Sequence, residues 1–221
     1  MSLLGYLARK AAQSEAQCRE VELSLLSYDE EARLLDLGCG DGSFTERCAA
    51  ELFISHGQVY GIEAVPELVA QARARYMDAR CYNLNSRIEF GDNKFDVVVA
   101  SHIIEHLNDT DLFLSEIHRV LKPDGYLVIA TPNLASFQSI LYLLCGKQPS
   151  IAEVSDRILV NTWSPRGHDV DRTGFAHRRI FTKGALVEML QYYGFTLERV
   201  IMTGLVKGRY ASNVVVKARK S

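Results

Sequence analysis

Between residues 34 and 130 short apolar runs alternate with stretches whose apolar residues recur every three or four positions. That rhythm predicts strands joined by crossover helices. Leu34 to Leu37 reads as a strand, residues 43–54 as a helix, and Gln58 to Ile62 as a second strand ending at Glu63. Pro66 suits the first turn of the next helix, where its missing N–H costs little, and the pattern carries that helix to about Met77. Residues 79–84 predict a short third strand. Phe95 to Ala100 is unbroken in its apolarity except at Asp96, as expected of a strand buried on both faces. Asp109 or Thr110 can cap a helix carrying Leu112, Phe113, Ile117, Val120 and Leu121, with its end at Pro123-Asp124-Gly125. Tyr126 to Ala130 supplies a fifth strand.

The flanks follow other rhythms. Residues 2–27 predict one or two helices, either packed on the sheet or lying over the first strand's end. Thr182 caps a helix through Tyr193 that Gly194 stops, and the β-rich runs 195–202 and 212–218 then suit an antiparallel pair at a sheet edge. Residues 133–178 fit neither pattern: an apolar helical stretch at 137–145 gives way to irregular polar chain with Trp163, His168 and His177. Long irregular segments inside a compact domain are usually functional or disordered, and this one follows a strand end, so it would overhang a ligand crevice. The expectation is an α/β, Rossmann-like doubly wound sheet, mostly parallel, with an antiparallel C-terminal hairpin and helices on both faces. It forms a single domain over 1–221, with a helical cap at 1–28 and a lid insertion at 133–178.

Composition narrows the function classes. A chain of 221 residues, 48% hydrophobic and 24% charged, is large enough for one unstapled core. Its net charge of −2 lacks the basic footprint of a nucleic-acid binder. Cys18, Cys39, Cys48, Cys81 and Cys145 are scattered, without a C-x-x-C pair, which predicts free thiols rather than a disulfide framework or zinc site. Arg9-Lys10 precede any sustained apolar run and no stretch suits a membrane span, so a cytoplasmic monomer or homodimer is expected. The apolar helix at 137–145 reads as core, with interfacial lipid contact as its other reading.

The chemistry begins where the first strand breaks into Gly38-Cys39-Gly40-Asp41-Gly42. A dinucleotide site wants G-x-G-x-x-G with a pyrophosphate on the helix N-terminus. Here the spacing is G-x-G-x-G, and Asp36 stands two residues ahead, where it would repel a pyrophosphate but attract an ammonium group. Glu63 ends the second strand 21 residues beyond Gly42 (63 − 42). That matches the roughly 20-residue offset of an acid that grips ribose hydroxyls. The ligand should carry a ribose and a cation.

These residues resemble the class I S-adenosylmethionine-dependent methyltransferases, clearly over about 30–132 and more loosely elsewhere. Asp36 to Gly42 looks like the family's first motif, and Glu63 matches its ribose-binding acid. Asn83 stands where the family places the side chain that meets the adenine amine, with Leu84 against the ring. Phe95 to Ser101 resembles the fourth-strand motif and Leu121 to Gly125 the turn before the fifth strand. The resemblance implies S-adenosylmethionine as donor, held by Asp36, Gly38, Cys39, Gly40, Gly42, Glu63, Ala64, Asn83, Leu84 and Ser101. It also implies a small-molecule acceptor, and the histidines on the acceptor side favour oxygen as the methylated atom.

His102, His106, His168 and His177 are the imidazoles that could take a proton during transfer. The run His102-Ile103-Ile104-Glu105-His106 is also an H-x-x-E-H motif, which on a helix could hold zinc in a metalloprotease. Its place after a buried strand argues against that reading. Related ubiquinone-pathway O-methyltransferases carry E-x-x-E-H here, but this chain has His102 for the first glutamate, so no metal is expected. Two further alternatives are a nicotinamide-dependent oxidoreductase, disfavoured by Asp36 and the glycine spacing, and a non-catalytic donor-binding module.

Overall fold

In the computed structural model, residues 3–75, 77–155, 158, 160–163, 176–204 and 206–221 are described, with side chains from residue 13 onward. One seven-stranded sheet carries the fold, in the order β3-β2-β1-β4-β5-β7-β6. Its strands are β1 (Leu34–Leu37), β2 (Val59–Glu63), β3 (Asp78–Cys81), β4 (Phe95–Ser101), β5 (Leu121–Pro132), β6 (Phe195–Thr203) and β7 (Asn213–Lys220). The first five are parallel, with Leu34 beside Val59 on one flank and beside Val97 on the other. β7 runs antiparallel between β5 and β6, so the C-terminal hairpin closes the edge as the pattern predicts.

The helices are α1 (Leu3–Ser24), α2 (Ser43–Leu52), α3 (Pro66–Ala74), α4 (Thr110–Val120), α5 (Phe137–Leu144) and α6 (Lys183–Tyr192). Caps set their starts: the Asp109 carboxylate accepts from Leu112 N at 2.8 Å, and Thr182 Oγ1 accepts from Ala185 N at 3.2 Å. Strand alternation divides the core. On β4, Val98 and Ala100 join the layer under α4 and α6, whereas Val97 and Val99 join the layer under α1, α2 and α3. Chain order reverses direction across the sheet between β1 and β4, which opens a crevice at their carboxyl ends.

Several boundaries differ from expectation. The N-terminal segment is one helix, as one of the two readings had it, packed on α2 and on β5, β6 and β7. α3 stops at Ala74, and Met77 beyond it turns inward and is buried. β3 ends at Cys81 because Asn83 folds the following residues into a turn, its Oδ1 accepting from Asn85 N at 2.9 Å. β5 begins at Leu121, ahead of the Pro-Asp-Gly sequence, which forms an excursion within the strand with Asp124 at φ 64°. Lys122 holds that excursion to β4 through the Asp96 carboxylate at 2.7 and 2.8 Å. The core reading of 137–145 is overturned: Phe137, Leu141, Leu143 and Leu144 of α5 are exposed, because the helix stands off the sheet layers. Among the described residues no helix is long and apolar enough to cross a membrane.

Candidate active site

β1 delivers Gly38 to the sheet edge, where Gly38 N and Cys39 N both donate to Ile62 O, at 2.8 and 3.0 Å. β2 ends alongside, and the Glu63 carboxylate accepts from Gly40 N at 3.1 Å, Ala64 N at 2.7 Å and Val65 N at 3.0 Å. The glycine loop is thereby tied to the acid beyond β2. Gly40 sits at φ 56°, and a Cβ added there would meet nothing within 4 Å, so its open side forms a cradle wall that a ligand can approach. Gly42 acts differently. At φ 80° it starts α2, and a Cβ would lie 2.6 Å from Met77 Cε and 3.1 Å from Ala72 Cα. It lets α2 pack on α3 and lines neither hollow of the site.

Two hollows meet at Gly38. The smaller, about 100 Å³, is lined by Asp36, Cys39, Gly40, Ser101 and, from α1, Arg19. Asp36 is buried and accepts from Thr45 Oγ1 at 2.6 Å. Burial pushes its pKa up to about 6 against the opposing pull of the Thr45 bond and of Arg19. A carboxylate and a guanidinium on one small hollow suit the ammonium and carboxylate ends of an amino-acid tail. The larger hollow, about 310 Å³, is lined on one side by Glu63, Ala64, Asn83 and Leu84 and on the other by His102, Ile103 and His106. Its size, its apolar walls and the acid at one end suit a nucleoside. The expected donor residues therefore come together, apart from Gly42, and the residues present fit the donor.

The H-x-x-E-H run does not form the helix that a zinc protease would need. His102 adopts φ 52°, and only Ile104–His106 make a single 3₁₀ turn. The two histidines consequently face different neighbours. His102 Nδ1 lies 3.3 Å from Glu105 Oε1, while Thr131 Oγ1 donates to Glu105 Oε2 at 2.9 Å. Burial alone would lower the His102 pKa, but the facing Cys18 and Glu105 raise it to about 10. Burial likewise pushes Glu105 up, but His102 outweighs it and leaves the carboxyl below its usual range. His106 turns the other way: its Nδ1–H donates to Ala176 O at 3.3 Å, and its ring lies 4.9 Å from that of His177. Burial lowers the His106 pKa, leaving a neutral imidazole at neutral pH whose Nε2 carries the lone pair. His177 Nδ1–H donates to Ile151 O at 2.9 Å. His168 lies outside the described residues.

Three residues of α1 also belong to this site, and no motif marks them: Arg19, Cys18 and Glu22. Cys18 and Glu22 are both buried, and Ser101 Oγ donates to Glu22 Oε1 at 3.1 Å. Burial raises the Glu22 pKa to about 7. The one signal in the sequence is a carboxylate at helical spacing between Cys18 and Leu25, on the stripe that has to face the sheet.

The methyltransferase domain family matches residues 9–200 of the chain. A probable S-adenosylmethionine-dependent methyltransferase of Mycolicibacterium smegmatis is 38% identical over 107 residues, covering 47% of this chain and 39% of that protein. A ubiquinone biosynthesis O-methyltransferase of Rhodopseudomonas palustris is 30% identical over 171 residues, covering 72% of this chain and 59% of that protein. The chain thus spans less than two thirds of the length of either relative. In fold it resembles an S-adenosylmethionine-dependent methyltransferase of Mesorhizobium loti, with a TM-score of 0.65, 19% identity and coverage of 91% of this chain and 96% of that one. The strand order, the glycine cradle tied to Glu63 and the family match agree: the chain belongs to the class I S-adenosylmethionine-dependent methyltransferases.

Proposed function

We propose that the protein transfers a methyl group from S-adenosylmethionine to a hydroxyl oxygen of a small-molecule acceptor, with His106 as the base. The donor supplies a methyl on a positively charged sulfur, already activated toward displacement. The chain's own work is to align, to desolvate and to take a proton. Gly40 allows close backbone approach, Gly38 makes room for Ile103 on the wall of the larger hollow, Glu63 is suited to accept from a ribose hydroxyl, and Asp36 with Arg19 suits the amino-acid tail. Asn83 makes its turn and lines the larger hollow, so turn former and adenine neighbour are compatible roles. Alignment of this kind can recover about 7–11 kcal/mol of a displacement barrier.

The observation that carries the choice of oxygen is the place of His106 on the larger hollow, with its Nδ1–H turned away to Ala176 O. A hydroxyl must lose its proton as it is methylated, and that needs a neutral base at the crevice. His106 lines the larger hollow, has Nδ1–H committed to Ala176 O, and is kept unprotonated by burial. The similarity to ubiquinone biosynthesis O-methyltransferases supports the same reading. His177 packs on the His106 ring and is placed to orient it. The test is single-turnover methyl transfer with donor-saturated enzyme and a panel of hydroxylated acceptors, comparing the unmodified chain with His106→Asn. The variant should keep donor affinity and lose about 10²–10⁴-fold in rate. An unchanged rate would remove His106 as base. Tight donor binding without turnover by either protein would favour a non-catalytic donor-binding module.

A further inference from the structure

Among the described residues only four buried side-chain polar atoms lack a hydrogen-bond partner: Glu22 Oε2, His102 Nε2, Thr203 Oγ1 and His118 Nε2. The first three gather around Cys18, whose thiol faces both His102 and Thr203. The Cys18 thiol has one weak donor to share among these neighbours, so Glu22 Oε2 and His102 Nε2 stay under-satisfied at a buried place, which a ligand bonding both of them and the sulfur would relieve.

The donor set is specific. Cys18 Sγ, a Glu22 carboxylate oxygen and a His102 ring nitrogen all lie within 4.8 Å of one another. Thiolate, carboxylate and imidazole are the three donors zinc takes, and a tetrahedral ion holds them roughly 3.3–3.7 Å apart, so closure needs about an ångström of side-chain movement. The support around them is in place. His102 Nδ1 is held by Glu105, which Thr131 holds in turn, leaving Nε2 as the ligating nitrogen. Ser101 fixes the other oxygen of Glu22. Three carboxyl groups, Glu22, Asp36 and Glu105, are each at most 2% exposed around it. The other His/Glu cluster, Glu105 with His106 and His177, is different. Its Nδ1 atoms are spent on carbonyls, and both Glu105 oxygens are already engaged.

We infer that Cys18 Sγ, Glu22 Oε2 and His102 Nε2 form a binding site for a divalent, thiolate-accepting cation of the zinc class. The ion replaces the thiol proton and any proton on the Glu22 carboxyl or on His102 Nε2, and these pass to solvent. Two ligands come from α1 and one from the end of β4, so the ion ties the N-terminal helix to the edge of the donor cradle, where Ser101 and His102 stand side by side. The inference is independent of the methyl acceptor and of His106.

The test is cobalt(II) titration of the chelator-treated full chain, read by thiolate-to-metal charge-transfer absorption. One equivalent should produce the band, and zinc should abolish it by displacement. Cys18→Ala should remove the band and weaken zinc binding on the order of a hundredfold or more, whereas His177→Ala should leave both unchanged. No band in the unmodified chain, or a band that survives Cys18→Ala, overturns the site; exposed Cys81 and Cys145 would then be the source of any signal. Should Cys18→Ala not fold, X-ray absorption of the zinc-loaded unmodified chain decides. A first shell with one sulfur among nitrogen and oxygen neighbours supports the site, and a shell without sulfur overturns it.

Discussion

Gly40 donates its backbone N–H to the Glu63 carboxylate at 3.1 Å, which joins the loop after β1 to the end of β2. The same carboxylate also takes two N–H groups of its own turn, so its position is set before any ligand arrives. A carboxylate has about four lone-pair directions, so it can still accept from a ribose hydroxyl. Glu63→Ala should weaken S-adenosylmethionine binding by about 1–3 kcal/mol in calorimetry. A loss of only a few tenths of a kcal/mol would remove Glu63 from the donor site.

The two glycines of the turn should separate binding from stability. Gly40→Ala places its methyl in open cradle space, so it should cost about 1 kcal/mol of stability from the positive φ and a larger loss of donor affinity. Gly42→Ala instead drives a methyl against Met77 and the Ala72 backbone. It should cost more stability, about 1–3 kcal/mol on top of the same backbone cost, and so lower the melting temperature further. Melting curves and donor titrations of the pair check this; equal effects on both readouts would contradict the division.

Asp36 illustrates a cost accepted for binding. Its carboxyl pKa is raised to about 6 by burial. A group raised above its unfolded value adds stability that is complete below the unfolded pKa and is lost as pH climbs through the folded one. The donor-free chain should therefore lose stability between about pH 4 and 6 from this residue. Asp36→Asn should raise the melting temperature at pH 7 and above while weakening donor binding there. In the unmodified chain donor affinity should fall as pH drops below about 6, where the carboxylate protonates.

Much of the fold is legible in the chain, and the misses have physical reasons. Buried parallel strands announce themselves as apolar runs, so β1, β2 and β4 and the sheet class can be read directly. The turn at Asn83 is harder, because an Asx turn and a strand end use the same polar residues. The run 137–145 misleads for a general reason: apolar helical spacing specifies an apolar face but not what covers it. Within the site, the glycines, Asp36 and Glu63 are local to one βα unit. Arg19, Cys18 and Glu22 reach the cradle only because α1 packs back across the sheet, which no local spacing encodes. The left-handed backbone at His102 likewise leaves no trace in the spacing, and it is what sends the two histidines of one motif to different neighbours.

His106 as the proposed base carries a pH signature of its own. Burial holds the His106 pKa below the ordinary histidine value, opposed by Glu105 and reinforced by His177. The methyl-transfer rate should rise with pH through that lowered pKa and be flat by neutral pH, because only the neutral imidazole accepts a proton. His106→Asn should lose the rise along with most of the rate. A profile that keeps its shape in the variant would assign the titration to another group.

Methyl transfer from S-adenosylmethionine to a hydroxyl oxygen can be watched at the transferred carbon itself. Donor labelled with carbon-13 at the methyl is incubated with the protein and a panel of hydroxylated acceptors, and the products are read by carbon NMR. The expected product is a labelled methyl ether, whose shift marks carbon bonded to oxygen. A labelled product with its methyl on nitrogen or carbon would contradict the assignment.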